Sequence, residues 1–270
     1  MSLQGKLAQE LGSNLGEGTL IQLVAASMTD AGKVREKNED SYGRFEPSDP
    51  QIQNSKGSLF IVADGMGGHK GGEVASRLAV EDIRSQYYSV QGEDPAIALV
   101  EAFQKANQSI FEKSQSNESL TGMGTTCTAM VIRQEFAYFA HVGDSRAYLF
   151  RQGELRQITE DHSLIGEMLR SGLISKEDAR THPQRNVITK SLGVQISVET
   201  DTPSTPFSIE DGDVFLLCSD GLTTLVFDED IKEALSAQNI GEACSRLIDL
   251  ANDKGGNDNI TVQVIEIKKQ

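Results

Sequence analysis

Thr126–Ile158 reads TCTAMVIRQEFAYFAHVGDSRAYLFRQGELRQI, and the spacing within it decides the fold. Three apolar runs, Thr126 to Ile132, Phe136 to His141 and Ala147 to Arg151, are rich in β-branched and aromatic residues, which suit a pleated, half-buried surface. Only Gln134-Glu135, Gly143-Asp144 and Gln152-Gly153 mark the turns around them. Links that short join antiparallel neighbours, because a parallel crossover needs a dozen or more residues. The stretch therefore predicts successive antiparallel hairpins.

The same signature extends outward. Leu20 to Ala26, Leu59 to Ala63, Val214 to Cys218 and Ile260 to Ile267 are further strand-like runs, several bounded by Gly, Asp or Asn. Apolar spacing near four at Val74-Leu78-Ile83-Tyr87 and at Ile97-Val100-Phe103-Ala106-Ile110 predicts two helices. Others are expected near 162–171, 175–181 and 240–254. The sum is an α+β fold: antiparallel sheets packed together with helices outside, rather than a doubly wound parallel sheet. Residues 1–20 show little periodic apolar pattern and read as a loosely ordered extension ahead of one large domain.

Charge and cysteines narrow the partners. The 270 residues carry 25 Lys+Arg against 40 Asp+Glu, a net charge of −15, which repels nucleic acid and anionic lipid. No run of Lys and Arg offsets that field. The apolar stretches fall far short of the ~20 residues that span a bilayer, and the start of the chain has no basic segment followed by an apolar one. Cys127, Cys218 and Cys244 are odd in number and far apart, which fits a reducing compartment. The expectation is a cytoplasmic protein with neither nucleic acid nor membrane as partner.

The excess acid falls at strand ends. Asp64-Gly65 follows LFIVA, Asp220-Gly221 follows VFLLCS, Asp144 follows FAHVG, and Asp258 stands just before ITVQVIEI. Asn38-Glu39-Asp40 follows the first strand after a short link. Any one of these is most simply a turn residue, since Asp bonds its own backbone and Gly takes positive φ. Asp211-Gly212-Asp213 reads that way. Taken together, carboxylates held rigidly at several strand ends converge stably only if cations neutralise them. Oxygen ligands without a His/Cys cluster suit Mg²⁺ or Mn²⁺. Such a cluster implies two-metal hydrolysis.

Three other signals fail on physical grounds. Cys127 to Arg133 has the C-x5-R spacing of a cysteine phosphatase loop, but TAMVI is an apolar strand without the glycine such a loop needs. Gly143-Asp-Ser-Arg-Ala147 approximates a nucleophile elbow, yet AYLFR continues as strand, so a hairpin is expected there. Gly65 to Gly72 is glycine-rich but contains neither G-x-G-x-x-G nor G-x4-G-K-[ST].

In order along the chain, Arg35-Glu-Lys-Asn-Glu39-Asp40, Val62-Ala-Asp64-Gly65-Met-Gly-Gly-His69, Gly124-Thr-Thr126, Val142-Gly-Asp144-Ser-Arg146, Cys218-Ser-Asp220-Gly221-Leu and Gly255-Gly-Asn-Asp258-Asn-Ile-Thr261 resemble the successive motifs of the metal-dependent (type 2C) serine/threonine protein phosphatases, in their compact bacterial form. The resemblance runs from about Val24 to Ile267. It implies a catalytic domain over 21–270: a central antiparallel β-sandwich flanked by helices on both sides, in four α-β-β-α layers. A small helical flap, at about 161–192, would lie beside the active site.

The resemblance also implies a binuclear Mn²⁺ or Mg²⁺ site. Asp64 would bridge both ions, Asp220 and Asp258 would complete the first, and the Gly65 carbonyl with Glu39 or Asp40, largely through water, would serve the second. Asp144 and Asp220 would hold the third, weaker ion often found in bacterial members. Arg35 would grip the substrate phosphate. His69 is the candidate general acid, since Met66 stands where some members carry a histidine. His182 and Arg185 are candidates for substrate contact. The implied activity is hydrolysis of phosphoserine and phosphothreonine in proteins by in-line attack of water. The substrates would be proteins phosphorylated by a cognate serine/threonine kinase, and the enzyme would act as a monomer. Two alternatives stand beside it: a regulatory module that keeps the fold without the chemistry, and a two-metal phosphatase acting on small molecules.

Overall fold

The computed structural model describes residues 21–67, 71–89, 92, 94–237 and 239–270. The extension expected over 1–20 and His69 lie outside the described residues. The strands are β1 (Ile21–Asp30), β2 (Asp40–Phe45), β3 (Ser58–Met66), β4 (Gly124–Thr125), β5 (Cys127–Arg133), β6 (Phe136–Val142), β7 (Arg146–Arg151), β8 (Glu154–Gln157), β9 (Phe207–Ser208), β10 (Val214–Cys218) and β11 (Ile260–Lys269). The helices are α1 (Pro50–Lys56), α2 (Gly71–Ser89), α3 (Pro95–Ser116), α4 (Leu164–Arg170), α5 (Lys176–Thr181), α6 (Asp220–Thr223), α7 (Asp228–Leu235) and α8 (Ile240–Asp253).

Pairing is antiparallel throughout, in two sheets ordered β1-β11-β10-β7-β8 and β2-β3-β5-β6-β9, with β4 against β3. The two-residue alternation of the strands sorts the core into layers. Phe60, Val62, Met130 and Ile132 point between the sheets, where they meet Leu149, Phe215, Leu217 and Ile265. Their neighbours Leu59, Ile61, Ala129 and Val131 point outward beneath Ile83, Leu99 and Phe103 of α2 and α3. Val214, Leu216 and Cys218 do the same beneath Ile231, Leu247 and Ile248 of α7 and α8. The result is the four-layer α-β-β-α sandwich. No helix among the described residues is long and apolar enough to cross a membrane.

Two of the three short links are hairpins as expected, with Arg133 opposite Phe136 and Arg151 opposite Glu154. Gln134 and Gln152 take φ of +53° and +51° to close them. The third is not. β6 and β7 belong to different sheets, so Gly143–Ser145 is a crossover from one layer to the other. A length rule separates hairpins from βαβ units but does not see a chain that changes sheets. The sequence reading also passed over β2, whose DSYGRF buries only Gly43 because it forms an edge strand, and the short α7.

Candidate metal centre

The register of two neighbouring strands sets the first acids side by side: Asp40 of β2 pairs across the ladder with Asp64 of β3. Glu39 precedes Asp40, and its carbonyl accepts from Gly65 N–H at 3.2 Å. No side chain fits at position 65, where a Cβ would overlap the Gly72 carbonyl. Nor does one fit at 72, where it would strike Glu39 Oε2 and approach the Gly65 carbonyl oxygen to 2.8 Å. The two glycines thus keep a small space shared by the Glu39 carboxylate and the Gly65 carbonyl. Thr126 holds the other side, accepting from Asp64 N–H at 3.1 Å and donating its own N–H to Asp64 O at 2.9 Å.

The first sheet supplies the remaining acids from its facing edge. Asp220 opens α6 directly after β10, and Asp258 stands just ahead of β11, the partner of β10. Asn259, the residue after Asp258, tethers the segment that leads into β2. Its Oδ1 accepts from Glu39 N–H at 2.8 Å, and its Nδ2 donates to the carbonyls of Ala31 and Lys37 at 3.1 and 2.8 Å. Asp144 comes from the crossover and is buried.

Electrostatics mark the cluster as unfinished. Burial pushes the Asp64 carboxyl well above its usual range, and Asp40, Asp220, Asp144 and Asp258 push it further. Asp144 is raised likewise by burial, then by Asp220 and Asp161. Burial and Asp258 raise Asp220, with relief from its hydrogen bond to Asp64. Burial raises Asp40 to about 7, even though its Oδ2 accepts from Thr261 Oγ1 at 2.6 Å and Ser219 Oγ at 2.8 Å. Glu39 is raised by burial against the pull of Arg35. Asp40 Oδ1 and Asp144 Oδ1 are buried without any hydrogen-bond partner.

Among the described residues, no three His, Cys, Asp or Glu side chains close into a ready-made cage. Two orphaned carboxylate oxygens in an all-oxygen donor set are what a hard divalent cation would satisfy, so the residues present fit one.

Arg35 stands at the rim, half exposed, and its Nη2 donates to Asp258 Oδ2 at 2.7 Å. Asp258 thereby raises the basicity of the guanidinium above its ordinary value. Next to the acids lies a cavity of about 300 Å³ whose lining includes Asp144, Arg146, Asp161, Arg185, Asp220 and Phe227. Arg185 is thus placed beside the cluster. His182 is not in that lining; its Nδ1 accepts from Gln184 N–H at 3.2 Å in the turn after α5. The sequence reading gave no role to Ser219, Thr261, Asn259 or Asp161. Ser219 and Thr261 lie within the quoted motifs, but no spacing rule links them to an aspartate 179 and 221 positions away.

Acids from both sheets of an α-β-β-α sandwich, gathered at one edge beside a cavity, define a protein of the metal-dependent phosphatase class. Residues 35–249 match the family described as protein phosphatase 2C, and the chain belongs to that family. It is 44% identical over 243 residues to the serine/threonine phosphatase stp of Listeria monocytogenes, covering 88% of this chain and 93% of the relative. The crystal structure of the Mycobacterium tuberculosis serine/threonine phosphatase PstP/Ppp superposes with a TM-score of 0.81 at 39% identity, over 92% of this chain and 100% of that one. A PstP catalytic domain in complex with two manganese ions matches at 0.80 and 37% identity, over 92% and 100% of the respective chains.

Proposed function

We propose that this chain hydrolyses phosphoserine and phosphothreonine in proteins, using Mn²⁺ or Mg²⁺ held by its edge carboxylates. The observation that carries the reading is the gathering of Asp40, Asp64, Asp144, Asp220 and Asp258 at one edge of the sandwich, where burial and neighbouring carboxylates raise the first four. The two manganese ions of the PstP structure support the same choice of metal.

Asp64, Asp220 and Asp258 would hold one ion. The Gly65 carbonyl with Glu39 and Asp40 would hold a second, and Asp144 with Asp220 a third. Bound there, divalent ions supply the charge that stabilises the transferring phosphoryl group and lowers the pKa of water. The chain's own residues do the rest. The Arg35 fork binds two phosphoryl oxygens at once, leaving Asp258 partly or wholly to do so. A guanidinium stays charged with or without that partner. Arg185, at the cavity wall, contacts the phosphopeptide beyond the phosphate. As the P–O bond breaks, the departing serine or threonine oxygen needs a proton; His69 is the candidate donor, and it lies outside the described residues. Three free, buried thiols suit a reducing, cytoplasmic setting, and a serine/threonine kinase of the same compartment would supply the substrates.

Phosphate release from a phosphoserine peptide tests the reading. The expected result is turnover with Mn²⁺, loss in EDTA and recovery when Mn²⁺ is restored. Full activity in EDTA overturns it. Faster turnover of a mononucleotide than of the peptide would favour the small-molecule alternative, and failure of Mn²⁺ to bind at all would favour the module without chemistry.

A further inference from the structure

Asp161, His162 and Ser163, three residues in a row, fasten the 161–192 segment in three ways. Asp161 accepts from Arg146 Nε and Nη2 at 2.8 and 2.6 Å. Ser163 caps α4, accepting from Gly166 N–H at 3.1 Å. His162, buried at 4% exposure, makes the densest set of bonds. Its N–H donates to the Gly143 carbonyl at 2.7 Å, and Gly143 N–H donates back to the ring Nδ1 at 3.1 Å. Its carbonyl accepts from Thr189 N–H at 2.8 Å, so both arms of the segment meet at this residue. Nε2 lies 3.0 Å from Asp201 Oδ2, with the carboxylate off the N–H axis.

These contacts dictate the ring's chemistry. A nitrogen that accepts from an amide cannot carry the proton, so the neutral ring holds it on Nε2, beside Asp201. Burial opposes the Asp201 charge, but His162 and Lys190 outweigh it and keep that carboxyl below its usual range. Asp201 is itself pinned to β6, exchanging backbone bonds of 2.9 and 3.0 Å with His141. A line of contact therefore runs from a strand-anchored carboxylate through an imidazole of fixed tautomer to the Gly143 amide. Gly143 adopts φ +112° with Thr126 against its α-carbon, and the next residue is Asp144. Without an acceptor, a buried amide turns to find another partner. Here that turn would swing Asp144.

We propose that His162 is a positioning residue that aims Asp144 at the metal centre through the Gly143 amide. The proposal rests on Asp144 being an ion ligand, as read above.

Calorimetric titration of the full chain with Mn²⁺, alongside thermal melts, tests both statements separately. His162→Leu removes both ring contacts. His162→Asn sets an amide oxygen where Nδ1 stood, keeping the acceptor for Gly143 but falling short of Asp201. His162→Gln reaches toward Asp201 and leaves the Gly143 amide without its acceptor. The weakest Mn²⁺ step is expected to weaken about tenfold in the Leu and Gln variants, the loss typical when the support of a ligand is removed. In the Asn variant it should stay within about twofold of the parent. Asp144→Asn should abolish that step. If Asp144→Asn leaves the isotherm unchanged, the ligand reading falls and the proposal falls with it. If Asp144→Asn abolishes the step while the His162 variants bind like the parent, or Asn and Gln lose equally, the positioning role alone is overturned. The Asn and Gln pair decides the matter even if the Leu variant does not fold.

Discussion

Asp213 and Asp144 are both buried, and each follows a glycine with positive φ at the edge of a strand. In the sequence they are the same dipeptide, Gly212-Asp213 and Gly143-Asp144. Asp213 accepts from Arg151 Nε and Nη2 at 2.7 and 2.6 Å and from Glu210 N–H at 2.7 Å. Asp144 has an oxygen with no partner and other carboxylates for neighbours. A buried charge that brings its own guanidinium is part of the scaffold; one left among like charges is prepared for a cation from outside.

The sharpest way to break that contrast is Asp64→Asn. It should lower kcat/KM by on the order of 10³, as removal of a principal electrostatic group does, while the melting temperature in EDTA does not fall. A large loss of stability in EDTA would make Asp64 a scaffold residue like Asp213. A third kind of buried group is His141, neutral and with Nε2 unpartnered. Burial and then His162 push it down to about 4. Below the unfolded pKa of about 6.5 the unfolded chain takes up a proton that the folded chain refuses. Stability is therefore lost as pH falls from about 6.5 towards 4, by about 3 kcal/mol. The raised Asp40 acts with the opposite sign, stabilising at low pH and losing that contribution as pH rises through about 7. Denaturant melts at pH 7 and pH 4.5 isolate the histidine by difference, since His141→Gln should flatten the acid loss. Equal slopes in the two proteins would contradict the assignment.

Smaller effects sharpen the scaffold side. Asp213→Asn should destabilise by about 2 kcal/mol, less than a fully buried pair because Arg151 is partly exposed. Its Mn²⁺ isotherm should match the parent's; a weakened one would tie the two ends of the sandwich together. Smallest is Arg35→Lys, which should raise KM about tenfold with kcat nearly unchanged, because an ammonium loses the two-oxygen grip. A fall in kcat alone would remove Arg35 from phosphate binding.

Much of this was legible in the sequence, and the reasons differ by residue. Phe60, Val62, Phe215 and Leu217 lie in unbroken apolar runs, and such runs report burial on both faces directly. The β2 strand is polar because it sits at an edge, and Gly143 changes sheets, so local pattern carried neither. The acids stood out by their place at strand ends. What pairs with each was not legible, since Arg151 with Asp213, or Ser219 and Thr261 with Asp40, meet only through tertiary approach.

The hydroxyl pair Thr29–Thr261 closes the β1–β11 ladder across 232 positions. Contacts of such separation form late and slowly. A chain still being synthesised carries β1 and β10 before β11, the strand that joins them. Until β11 arrives, β1 and β10 are bare edges, and that interval is when the protein is most exposed to aggregation.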